Sequence, residues 1–235
     1  MKKAIVFSVS LLMLCCTVQS QQLSAGFLRC EDRLDPQGVQ SMNPRLSWQV
    51  QSNQQAVLQT AYRILVSDDS LLLQKGQGNI WDSKKIQSGA SIQVTFTGKP
   101  LVAARKYYWK VMLWSNKGGA SPWSAVASWQ MGLLKPADWG NARWIGYEVL
   151  SDSAIIAPHV HMSGKKAWGP RPVVLPLLRK TVELKKEIRK ASIFISGLGH
   201  FQLSVNGQPI GDHFLAGGWT NYGKQALYVT FDITG

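Results

Sequence analysis

Apolar side chains fall on every second residue in one short run after another, and that period of two constrains this chain more than any other feature. Tyr107, Trp109, Val111 and Leu113 alternate with Tyr108, Lys110, Met112 and Trp114, the spacing that turns one side of a strand to a core and the other outward. Leu46, Trp48 and Val50 repeat the pattern, as do Tyr62, Ile64 and Val66, and then Ile92, Val94 and Phe96. Roughly seven short strands separated by turn residues predict a β-sandwich between Leu23 and Leu134 rather than a βαβ unit. SPWSAVASW, Ser121 to Trp129, reads as its closing strand and carries Trp123 and Trp129. Within the same region SDDSLLLQKG predicts one helical turn, capped by Ser67 or Asp68 and stopped at Gly76.

The alternation returns near the C-terminus. Ile193 and Ile195, then Phe201, Leu203 and Val205, lead straight into Asn206-Gly207. Asn-Gly tolerates the positive φ angles of a type I′ turn, so a hairpin returning through Ile210 is predicted. Further strands are predicted at LLRKTVEL and from Leu227 to Ile233, with Glu183 and Glu187 in a Lys-rich hairpin. Between the two β regions lie a connector over 135–148, containing Trp139 and Trp144, and an irregular surface loop over 149–176. Pro158, Pro170, Pro172 and Pro176 in and around that loop forbid continuous ladder pairing.

The first twenty residues, MKKAIVFSVSLLMLCCTVQS, have a basic start, an apolar run and the small-residue pattern Val18-x-Ser20. They read as a signal peptide cleaved after Ser20, which places the protein in the periplasm or outside the cell. The apolar run is short of the roughly 20 residues of a membrane span, and Leu14 before Cys15 argues against a lipid anchor on Cys15 or Cys16. Cleavage leaves Cys30 as the one cysteine, which the alternating FLRCE segment assigns to a buried, small apolar role. A net charge of +13 raises the question of nucleic acid. The basic residues are dispersed in pairs such as Lys84-Lys85, and an exported protein does not ordinarily meet DNA, so no nucleic-acid partner is expected.

The string SGLGHFQLSVNGQPIGD, followed by GGWTNY, resembles the N-terminal β-sandwich domain of bacterial α-L-rhamnosidases of glycoside hydrolase family 78. The order PRLSW, AYRILV, WDS, YYWKV, GLLKPADW and ARWIG, together with LLRK, extends the likeness over about Leu28 to Gly235. The resemblance implies an all-β chain, with a fibronectin-III/immunoglobulin-like sandwich over 21–134. It implies that 177–235 begins a galactose-binding-like jelly roll, incomplete here because about eight strands are wanted. It also implies an (α/α)6 catalytic domain downstream that hydrolyses terminal α-L-rhamnose in glycans. The spacing of Leu101 and Tyr107 is similar to the tyrosine corner of fibronectin type III domains.

Glycoside hydrolysis needs two carboxyl groups across the scissile bond, about 6.5–9.5 Å apart in the inverting geometry of that family. No pair in this chain is framed for those roles. Asp68-Asp69 suits a helix start, Asp35 and Asp138 suit turns, and Asp212 and Asp232 flank strands. His159-x-His161 lacks third and fourth ligands at zinc spacing, His200 and His213 read as ordinary hairpin residues, and neither a metal nor another cofactor is expected. Ten tryptophans are the remaining clue, since a sugar stacks its apolar C–H face on an exposed indole. Trp114, Trp168, Trp219 and Tyr222 are the candidates for carbohydrate contact once the core positions are assigned. The sequence leaves two readings open: the non-catalytic N-terminal part of an exported rhamnosidase, and a free-standing carbohydrate-binding or structural sandwich module.

Overall fold

A computed structural model describes residues 23–147, 176–183, 185–212 and 215–234. The signal peptide and nearly all of the 149–176 loop lie outside the described residues. The chain divides into two compact units, Met1–Gly132 and Leu133–Gly235.

The first unit is a two-sheet β fold. Strands β1 (Ser24–Cys30), β2 (Arg45–Gln51) and β6 (Val94–Thr95) form one antiparallel sheet in the order β1-β2-β6. The other runs β4 (Trp81–Asp82), β3 (Gln59–Ser67), β7 (Lys106–Ser115), β8 (Ala127–Gln130), with β5 (Ile86–Gln87) also on β3. The β3–β7 register pairs Tyr62 with Leu113, Ile64 with Val111 and Val66 with Trp109, so the alternation predicted for both strands delivers one shared buried face. Trp109, Trp129, Tyr107 and Phe96 are its largest fully buried side chains. Trp48 of β2 meets Tyr62 of β3 edge-on at 5.2 Å, and its indole N–H donates to Gln59 Oε1 at 2.9 Å. Gln59 in turn donates to the carbonyls of Ser88 and Ala90, so a buried amide is fully used in tying the two sheets together.

The corner predicted at Tyr107 is present. Its hydroxyl accepts from the Val102 backbone N–H at 2.9 Å, while the ring is 1% exposed. Tyr107→Phe is therefore expected to cost about 0.5–1.5 kcal/mol, more where the Val102 N–H finds no water. A lowered denaturant midpoint at constant slope is the measurement, and an unchanged midpoint would remove the corner from the account.

Several local expectations are corrected. The helix α1 (Ser70–Gln74) is capped by Asp69, whose side chain accepts from Leu71 N. Ser67 instead accepts from Asp69 N, and Asp68 is drawn away by Asn79 and Arg105. Val50 is 36% exposed because β6 pairs with β2 only at Arg45 and Leu46, and the rest of β2 runs on beside β1 alone. Ile92 is exposed because Gln93 takes φ 53°, which breaks the alternation that would have set Ile92 beside Val94. Trp123 is not on the closing strand, which spans only Ala127–Gln130. Ser121 and Ser124 use their hydroxyls, not backbone carbonyls, to accept the β7 amides of Leu113 and Val111, so the stretch lies along the edge of β7 without joining its ladder.

In the second unit β9 (Ser192–Ser196) pairs antiparallel with β12 (Tyr228–Asp232) over five residue pairs. The predicted hairpin forms between β10 (Ser204–Val205) and β11 (Gln208–Pro209). Asn206 and Gly207 at its tip take φ 51° and 81°, the two positive angles of a type I′ turn. The strand expected at LLRKTVEL is absent from 176–183, and no hairpin holds Glu183 or Glu187. Leu177 and Val182 are exposed; alternation makes a strand only where a neighbouring strand takes up its backbone groups, and none pairs there. In the connector, a 3-10 helix (Pro136–Trp139) is closed by Asp138, which accepts from Leu134 N and Lys135 N. Tyr228 accepts from Leu133 N at 2.9 Å and meets the Trp139 ring edge-on, fastening this segment to β12.

Candidate functional site

Trp114 and the other candidates occupy different surroundings. Trp114 belongs to the face of β7 turned away from the core, pairs across with Ala61, and is half-buried. The Lys85 ammonium lies 4.7 Å from its ring centroid. Trp219 and Tyr222 stand in the loop between Ala216 and β12, three residues apart. Trp219 is 82% exposed and Tyr222 37%. The loop is held by its own bonds: the Thr220 hydroxyl donates to Gln225 O, the Asn221 side chain accepts from Gly223 N, and the Asn221 carbonyl accepts from Lys224 N and Gln225 N. Such a turn displays an indole to solvent at little further ordering cost. Trp168 lies outside the described residues.

The carboxylates are engaged in structural roles. Asp82 receives both Nε and Nη2 of Arg63, at 2.9 and 2.8 Å, and the Lys84 ammonium at 2.7 Å. This fork holds the Asp82 carboxyl well below the usual carboxylate range. Glu31 is lowered by its paired bonds from Arg45, and Asp68 by Asn79 and Arg105. Asp35 accepts from both the amide and the hydroxyl of Ser128, and Asp232 accepts from Thr234. A carboxylate held ionised by a guanidinium is a poor general acid, because catalysis wants the group's titration near the working pH. Cys30 is 1% exposed, and burial pushes its thiol up, with Glu31 adding to the rise; it packs as a small apolar side chain and is no nucleophile.

Among the described residues no three His, Cys, Asp or Glu side chains gather as a metal site, and no helix is long and apolar enough to cross a membrane. His159, His161 and His213 lie outside the described residues, and His200 is exposed. Sequence reasoning assigned Trp123 to the core. The structure instead sets it, half-buried, beside Arg63 and Lys110, and the signal that points there is the position of Lys110 on the outward face of the β7 alternation.

Residues 26–135 match the Rha78A-like, N-terminal immunoglobulin domain, and residues 186–235 match the alpha-L-rhamnosidase N-terminal domain. A protein of Formosa agariphila described as alpha-L-rhamnosidase is 34% identical over 205 residues, covering 85% of this chain and 21% of that protein. One from an Alteromonas species with the same description is 33% identical over 208 residues, covering 87% of this chain and 21% of its own length. The solved alpha-L-rhamnosidase of Dictyoglumus thermophilum superposes with a TM-score of 0.72 at 30% identity, over 90% of this chain and 23% of that one. The chain thus spans about a fifth of the length of the relatives it matches.

Proposed function

The chain belongs to the α-L-rhamnosidase family through its N-terminal domains, and from that premise we propose that it is the non-catalytic accessory portion of an exported enzyme releasing terminal α-L-rhamnose from glycans. The supporting observation is the pairing of two matched domains, over 26–135 and 186–235, with carboxylates committed to capping, turns and ion pairs. In this reading hydrolysis belongs to a catalytic domain outside this chain. The accessory domains provide fold and, through Trp219, Tyr222 and Trp114, apolar platforms for sugar rings. The chain is expected to release no aryl leaving group from aryl α-L-rhamnosides in a continuous assay. Turnover that disappears in Asp212→Asn or Asp232→Asn would overturn the non-catalytic reading.

Export is part of the same proposal, supported by Lys2, Lys3, the apolar run and Val18-x-Ser20. N-terminal sequencing of secreted protein is expected to start at Gln21; an intact Met1 or a lipid-modified Cys15 or Cys16 would refute it. The 82% exposure of Trp219 supports the second reading, a free-standing carbohydrate-binding module. Sequencing the gene beyond the Gly235 codon separates the two, since only the first needs an open frame running on into a catalytic domain.

A further inference from the structure

All four cation–aromatic pairs described for this chain lie on one surface, the side of the five-stranded sheet turned away from the core. Lys106 sits 5.8 Å from the Tyr108 ring, Lys110 4.9 Å and Arg63 5.8 Å from Trp123, and Lys85 4.7 Å from Trp114. The register explains their shared side. Leu65 pairs with Lys110, Arg63 with Met112, Ala61 with Trp114 and Ser67 with Tyr108, all out of phase with the core pairs. Such contacts occur about once per 70–80 residues in proteins generally, so four on one sheet face is a concentration.

The cations fall into two kinds. Arg63 and Lys84 are committed to Asp82. Lys110 and Lys85 rest on indole rings, not on carboxylates. Lys110 is 6% exposed, with its stem beside Leu65 and its ammonium against Trp123. A charge so withdrawn from water gains from an incoming anion, which here has no ion pair to displace. Lys106, Lys110 and Trp114 with its Lys85 recur every four residues along β7, about 13 Å apart at strand rise. That is a row suited to charges repeated along an extended chain, not to one small anion, and the half-exposed rings offer flat apolar surfaces between them.

We infer that the outward face of the β3–β7 sheet binds an acidic polysaccharide, with uronate carboxylates on Lys85, Lys106 and Lys110 and sugar rings against Trp114 and Trp123. The glycan-directed reading above is what favours a saccharide over other polyanions.

The test is affinity electrophoresis of the full chain in gels containing polygalacturonate, neutral dextran or double-stranded DNA, over a salt series. Retardation by polygalacturonate that fades with salt is expected, with none by dextran. Lys85→Gln/Lys106→Gln and, separately, Lys110→Met are each expected to weaken it about tenfold, the size of one lost charge-assisted contact. The charge-matched Arg29→Gln/Arg33→Gln, altering exposed cations on β1 and the turn after it, is expected to leave it unchanged. Thermal melts of all three variants check that the fold persists, and the first pair keeps the test decisive if Lys110→Met does not fold. Equal loss in the β1 variant would reduce the effect to overall charge and overturn the inference. So would DNA retardation abolished by the same face variants, or retardation by dextran, or none by polygalacturonate. The accessory reading is decided separately by the turnover assay and the downstream gene sequence, so either can fail alone.

Discussion

Trp129→Ala is expected to destabilise the first unit by about 3–5 kcal/mol, the usual cost of emptying a buried aromatic site. Trp129 is 0% exposed and stands opposite Tyr107 in the β7–β8 ladder. The two rings stack at 5.5 Å with 29° between planes, and Phe96 closes on Trp129 edge-on at 6.2 Å. Phe96 in turn meets Trp81 at 5.3 Å, so the indole is the middle of a run of rings contributed by β4, β7 and β8 and by the residue after β6. Its N–H lies 3.2 Å from Met131 Sδ, a weak partner, so most of the loss comes from packing and not from that bond. Against a total of roughly 5–15 kcal/mol for an ordinary domain, the variant should lower the denaturant midpoint steeply with little change in slope. Combined with Tyr107→Phe it should show a coupling of a few tenths to about 1 kcal/mol, since the two rings touch. A midpoint shift equivalent to less than about 1 kcal/mol would mean that the site collapses around the missing ring and that Trp129 is not central to the core.

Elements written in a local code were legible in the sequence. The Asn206-Gly207 turn is legible because two residues and their φ angles fix it, and β7 because ten residues alternate without interruption. The Tyr107 corner follows from one hydroxyl and a short reach to Val102. What failed depends on neighbours that a period cannot show. Ile92 alternates in the sequence but loses its place to one left-handed residue, Gln93. The 176–183 run has strand composition and no strand beside it. Trp123 sits in a run that hugs β7, yet Ser121 and Ser124 satisfy the β7 amides with side chains and leave the indole free to cover Lys110. The candidate surface divides the same way. Trp219 was legible because it follows Gly217-Gly218 in a loop, whereas the cation–aromatic row on the sheet needs the β3–β7 register, which brings Arg63 and Lys110 to the same indole from strands more than forty residues apart.

Amide exchange in the whole chain is expected to separate the two units by at least a hundredfold, with Ile64 and Val111 slow and Phe194, Ile195 and Val205 fast. β3 has strands on both sides and is buried at Ile64, Leu65 and Val66, so its amides should exchange only through global unfolding of the first unit. In the second unit the described β9–β12 and β10–β11 pairs are each two-stranded, and two-stranded ribbons are marginal without a covering layer. Among the described residues its buried apolar side chains are Leu133, Ala216 and Phe231, while Trp219, Leu198 and Leu215 are exposed. Each 1.4 kcal/mol of opening free energy is tenfold in protection, so a gap of about 3 kcal/mol gives the hundredfold difference. Tyr228→Phe should widen it, because the hydroxyl that takes Leu133 N is one of the few part-buried bonds fastening the connector to β12. The exposed alternate positions of β9 and β12 also predict early proteolysis there and self-association at high concentration. Protection at Phe194 and Ile195 matching that at Ile64, in a monomeric chain, would mean that the second unit is as stable as the first by itself, and would favour the independent sugar-binding module over the accessory domain.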